Sequence, residues 1–151
     1  MIELRPGDVG YPALLGAIPS APALFVRGEL RDDDALAVAI VGSRRATPYG
    51  IAAAEQLASD LAARGVTIVS GLARGIDTAA HRSALAAGGR TLAVLGSGVD
   101  VVYPPENAPL ARAIESCGAI LSQFPPGMPA LAGHFPAQPH ARRAGARRRR
   151  G

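Results

Sequence analysis

Two glycine-rich segments hold the residues best suited to chemistry: VGSRRATPYG from Val41 to Gly50 and SGLARGIDTAAH from Ser70 to His81. Each follows a short apolar run and opens into a helical pattern, and each combines glycine, a hydroxyl and arginine. Amides at a helix N-terminus, backed by the positive end of the helix dipole, favour an anionic oxygen, and glycine permits its close approach. Ser43 adds a hydroxyl and Arg44 a forked guanidinium matched to phosphate; Ser70, Gly71, Arg74 and Gly75 repeat the combination. The chemistry expected is anion or phosphate binding. The plainer alternative is that the glycines permit tight turns while Arg44 and Arg45 face water.

Other residues invite catalytic readings that the spacing supports less well. Asp77 and His81 stand four apart and share a helix face. Such a pair suits acid–base work or metal binding, but both need further ligands or a nucleophile, and none is identifiable. A scaffold role is therefore expected, with Asp77 bracing its loop and His81 packed against it; no metal and no catalytic residue is assigned. A third loop carries Gly96-Ser97-Gly98, yet the sixth position of a dinucleotide fingerprint is Val101 instead of glycine, so no cofactor is expected. Tyr103, followed by Pro104 and Pro105, has a shape for stacking on a base, with packing as the more ordinary role.

These loops need elements to position them. Ala37–Val41 is short, β-branched and bounded by Gly42, the pattern of a buried strand; Val66–Val69, Thr91–Leu95 and Ala119–Ser122 repeat it. Helical patterns follow Pro48, which suits a first helical turn, and run over Ile76–Ala87 and Leu110–Ser116. Alternation of this kind predicts an α/β fold with a mainly parallel sheet covered on both faces and its site at the carboxyl edge.

The same loops, with LGSGVDVVYPPEN (Leu95 to Asn107), GHFP (Gly133 to Pro136) and the lead-in YPALLGAIPSAPALFVRGEL (Tyr11 to Leu30), resemble in order the motifs of the DNA-processing protein A family, also called DprA or Smf. The resemblance implies a Rossmann-like three-layer domain over residues 37–136 after a lead-in over 1–36. It implies a non-enzymatic protein that binds single-stranded DNA during natural transformation and helps load a RecA-type recombinase; a cytoplasmic location is expected from the single cysteine and an N-terminus without the basic-then-apolar order of a signal peptide. It further implies backbone contacts from Gly42, Ser43 and Arg44, joined by Ser70, Gly71 and Arg74, with Gly75, Gly96 and Gly98 in the same loops; Asp77, His81 and Tyr103 belong to its structural motifs.

Composition bounds the rest. The chain has 151 residues, 16 Lys+Arg and 12 Asp+Glu, with no lysine. Six arginines fall in the last ten positions, so residues 1–141 carry a net charge of −2. An arginine-rich end on a DNA-binding chain ordinarily reads as an electrostatic arm. Here the family pattern breaks instead: Gln138-Pro139-His140 stands where an arginine-asparagine-arginine triplet is expected, and a two-base deletion turns CGC AAC CGC AT into CAA CCG CAT. The expectation is a frameshifted or truncated member lacking the second half of the fold and the homodimer region, with residues 137–151 disordered and an uncovered sheet edge. Cys117, the only cysteine, is expected to be a small buried residue, and no apolar run is long enough for a membrane span. Two other functions stay open: a nucleotide-processing enzyme of the LOG or lysine-decarboxylase-like type, whose PGGxGTxxE stretch is absent, and a nucleotide or small-anion sensor.

Overall fold

The computed structural model describes residues 1–131, so GHFP and the arginine-rich segment lie outside the described residues. Ten regular elements follow in chain order: β1 (Ile2–Leu4), α1 (Ala13–Gly16), β2 (Leu24–Gly28), β3 (Ala37–Ala39), α2 (Pro48–Ala63), β4 (Thr67–Ser70), α3 (Ile76–Ala86), β5 (Thr91–Val94), α4 (Ala108–Cys117) and β6 (Ala119–Ser122). The strands form one sheet in the order β1-β2-β6-β5-β4-β3, parallel from β3 to β6 and antiparallel at β1 and β2. The architecture is Rossmann-like, as expected. Each strand and helix read from periodicity is present, with ends shifted by one or two residues.

Local chemistry accounts for the main helices. Pro48 occupies the first turn of α2, and the Thr47 hydroxyl accepts the Gly50 amide at 3.1 Å as an N-cap. On α2, Ala54, Ala58 and Ala62 recur every four residues and form one buried stripe. Ala80 and Ala84 on α3 meet this stripe over Ile68 of β4, and such small side chains let two helices approach closely on one sheet face.

The winding direction decides which face is covered. The chain steps from β3 to β4 to β5 to β6 always toward the same side, and right-handed crossovers in one direction put every connecting helix on one face. Accordingly α2 and α3 pack over β4, and α4 packs over β5 and β6. On the opposite face Leu92, Ala119 and Leu121 are covered by Tyr11, Leu15 and Leu30, contributed by the N-terminal segment.

Two expectations are corrected. β3 is an exposed edge strand instead of a buried one, because β4 is its sole strand neighbour among the described residues and α2 leans toward α3; Val38 and Val41 face solvent. The lead-in folds back as β2 and β1 onto β6, so among the described residues the sheet ends at β1 on one side and at β3 on the other. Cys117 ends α4 half-exposed, its thiol directed at the Ala113 carbonyl, because the last helical turn turns this position away from the core.

One ion-pair network ties the N-terminal segment to the sheet. Arg90, just before β5, grips Asp34 through Nε and Nη2 at 2.8 Å each, and also donates to the carbonyls of Cys117 and Glu29. The Thr67 hydroxyl and the Arg31 amide add two more donors to Asp34. Burial alone would raise the Asp34 carboxyl, but these bonds outweigh it and hold the group below its ordinary range. With the pair only 16% and 8% exposed, Arg90→Leu leaves a buried carboxylate without its partner. The expected loss is about 3 kcal/mol in urea unfolding; a loss under about 1 kcal/mol would class the pair with ordinary surface bridges.

Candidate functional site

Parallel strands deliver the loops after β3, β4 and β5 to one edge of the sheet. The first two are packed backbone to backbone. The Ile76 amide donates to the Ser43 carbonyl at 3.2 Å. Gly75, at φ +79°, lies so close that a side chain there would collide with the Ser43 carbonyl oxygen and the Arg44 backbone. At Gly42 a Cβ would come within 2.7 Å of the Ile76 side chain.

Asp77 explains why these loops hold together. Its carboxylate, buried at the start of α3, accepts the Gly71 amide at 3.2 Å and the Ala73 amide at 3.4 Å, and the Gly42 amide also supports it. Burial pushes the Asp77 carboxyl above its usual range, and the amides only partly offset this. The anion at this helix start is thus the chain's own, which turns Gly71 and Gly42 toward bracing. Ser70 is equally committed: it is buried, and its hydroxyl donates to the Ile40 carbonyl at 2.6 Å.

What remains outward is the first loop. Ser43, Arg44 and Arg45 are all exposed, with the Ser43 hydroxyl oxygen accepting the Arg45 amide at 3.1 Å. Arg74 is exposed as well, but its Nε donates to Glu106 at 2.6 Å and its guanidinium lies 5.8 Å from the centre of the Tyr103 ring. In the third loop Gly96 is half-buried, whereas Gly98 is buried and donates its amide to the Met128 carbonyl at 2.9 Å. Gly98 therefore packs the loop against the turn at Pro125–Met128.

Two residues escaped the sequence reading. Asn107 is buried, and its side-chain amide donates to the Leu72 carbonyl and the Thr78 hydroxyl, both at 3.0 Å, which clamps the third loop onto the second. Leu72 is the one non-glycine described residue with positive φ, at 62°, so the clamp sits on strained backbone. An asparagine just before a helix suggests a cap, but this side chain makes none and reaches across instead. Tyr49, on the first turn of α2 beside the arginines, is 84% exposed; an aromatic among loop arginines is the signal that could have marked it.

Grooves between α2 and α3 measure about 280 and 450 Å³ and are lined largely by short side chains with Glu55 and Arg82; of the anticipated site residues they reach Gly75. Among the described residues no cluster of histidine, cysteine or carboxylate groups has the makings of a metal site. Among the described residues no helix is long and apolar enough to cross a membrane.

Comparison with known proteins places this geometry. Residues 4–140 match the family model of DNA recombination-mediator protein A. Protein Smf of Synechocystis is 44% identical over 140 residues, covering 89% of this chain and 35% of the relative. DNA processing protein DprA of Streptococcus pneumoniae is 44% identical over 132 residues, covering 87% of this chain and 46% of the relative. The X-ray structure of the pneumococcal protein superposes with a TM-score of 0.82 at 43% identity, over 90% of this chain and 48% of that one. DNA processing protein A of Helicobacter pylori, for which a single-stranded DNA binding mode is described, gives 0.76 at 32% identity, over 89% and 60%. The chain thus spans less than half the length of these curated relatives.

His81 is fully buried on the inner face of α3, four residues from Asp77 yet engaged elsewhere. Thr91 donates its hydroxyl to the Ile68 carbonyl at 2.8 Å, so its oxygen accepts the His81 Nδ1 proton at 2.6 Å, leaving Nε2 without a partner among the described residues. Desolvation pulls the His81 pKa down to about 4 from 6.5. Between those values the unfolded chain binds the extra proton, so stability is complete above pH 6.5 and falls as pH drops toward 4. The loss across that window is expected to be about 3 kcal/mol. Urea unfolding at a series of pH values measures it; a flat profile would mean that the folded chain accommodates the imidazolium.

Proposed function

The chain belongs to the DNA recombination-mediator protein A family, and we propose that it binds single-stranded DNA through the backbone phosphates at the loop formed by Ser43, Arg44 and Arg45. The observation that carries this reading is the division between the two loops. Asp77 fills the amide cradle of the second, while the first keeps two exposed arginines on backbone held rigid from behind by Gly75 and Ile76. Arginine forks on a fixed backbone suit phosphate oxygens without reading sequence. Gly96 lines the same edge; Gly42, Ser70, Gly71, Gly75 and Gly98 shape it from within.

The biological role follows the family: DNA processing in the cytoplasm during uptake and recombination, in concert with a RecA-type recombinase, by binding instead of catalysis. Asp77 and His81 support binding over acid–base chemistry, since one is committed to backbone amides and the other to Thr91.

Titration of a labelled single-stranded oligonucleotide over a salt series tests the reading. Arg44→Ala is expected to weaken binding about 5- to 10-fold and to lower the slope of log affinity against log salt by about one. A chain ending at Ala137 is expected to keep most of its affinity. If affinity instead disappears with residues 138–151 and Arg44→Ala is silent, the terminal arginines carry the binding and the loop does not.

A further inference from the structure

At the same sheet edge stands an aromatic side chain that is only partly packed. Tyr103 is 45% exposed, although Pro104 next to it is fully buried. The turn after it, Pro105–Asn107, is anchored by the Asn107 clamp onto Leu72 and Thr78. The ring is therefore held in place by its backbone and by hydrogen bonding with Arg74, while much of its own surface stays in water. Tyr11, by contrast, packs against the core under β2 and β6 and donates its hydroxyl to the Pro22 carbonyl at 2.6 Å.

Arg74 completes the arrangement. Its guanidinium lies 5.8 Å from the Tyr103 ring centre, within range of a cation–π contact. Glu106 fixes it at 2.6 Å, and the pair shifts both groups: hydrogen bonding to Glu106 raises Arg74, and Arg74 holds the Glu106 carboxyl below its ordinary range. The carboxylate balances the guanidinium, so this cluster attracts phosphate far less than the Ser43–Arg45 loop does. The two are linked through the backbone, because Gly75 directly follows Arg74 and lies against the Ser43 and Arg44 backbone.

We propose that Tyr103 is a stacking face for a nucleobase of a single strand whose phosphates lie on the first loop, with Arg74 and Glu106 as its positioning residues. The inference rests on the single-stranded DNA reading above and adds a contact to the bases. An exposed ring whose position is set before binding loses little entropy when a base covers it. A π face accepts any of the four bases, so the contact raises affinity without selecting sequence.

The test uses the full chain and two strands of equal length and charge, oligothymidylate and an abasic oligonucleotide. Wild type should prefer the thymidylate by about fivefold or more. Tyr103→Leu, which keeps an apolar side chain but no π face, should abolish that preference while leaving the abasic affinity and the salt slope unchanged; Tyr103→Phe should retain it. Arg44→Ala should weaken both strands alike. Equal wild-type affinity for the two strands overturns the stacking role and leaves the phosphate reading standing, as does an equal loss on both strands in Tyr103→Leu. Absence of binding to either strand overturns both readings together.

Discussion

The buried carboxylate of Asp77 is the interaction on which the carboxyl edge of this sheet depends. A negative charge at the start of a helix is favoured by the helix dipole and by unpaired amides, and here the donors come from two loops. The same group, in the first turn of α3, therefore pulls the loop after β3 onto the loop after β4. Gly42 and Gly75 answer the resulting crowding, since a Cβ at either would strike the facing segment. The geometry that invites a phosphate in the second loop is consumed internally, and what it supports is the shape of the first.

The edge then divides its labour by charge. Arg44 and Arg45 face solvent from a braced backbone and present charge, whereas Arg74 is neutralised by Glu106 and presents a plane beside Tyr103. Asn107 couples these regions from below without touching solvent. At the opposite edge Arg90 does comparable work, gathering Asp34, Cys117 and Glu29 so that the N-terminal strands dock against β6. Arg27 on β2 adds a second tie, bridging Glu115 of α4 and the Val99 carbonyl. Arginine, the only basic residue type apart from histidine in the chain, thus serves as exposed charge, as a neighbour to an aromatic ring and as internal strut.

Periodicity was enough to read the parallel strands and their helices, because each is a short β-branched run or an alanine-rich amphipathic stretch whose pattern survives without context. It was silent about β1 and β2, whose sequences sit among prolines and glycines and pair only with distant segments. It also misjudged β3: an Ala-Val-Ala core is apolar enough for burial, but burial depends on neighbours that local sequence does not report.

The alternation of strands and helices, the positions of the glycine loops and the family resemblance are legible along the chain, since all of these are carried by residues close together in it. Which loop groups remain outward depends on the fold. Ser70, Gly71 and Gly98 look as suited to an anion as Ser43 does until their partners are known, and those partners are Ile40, Asp77 and Met128. A hydrogen-bond donor is available to a ligand only when the fold has not already satisfied it, and that is settled by contacts between segments far apart in sequence.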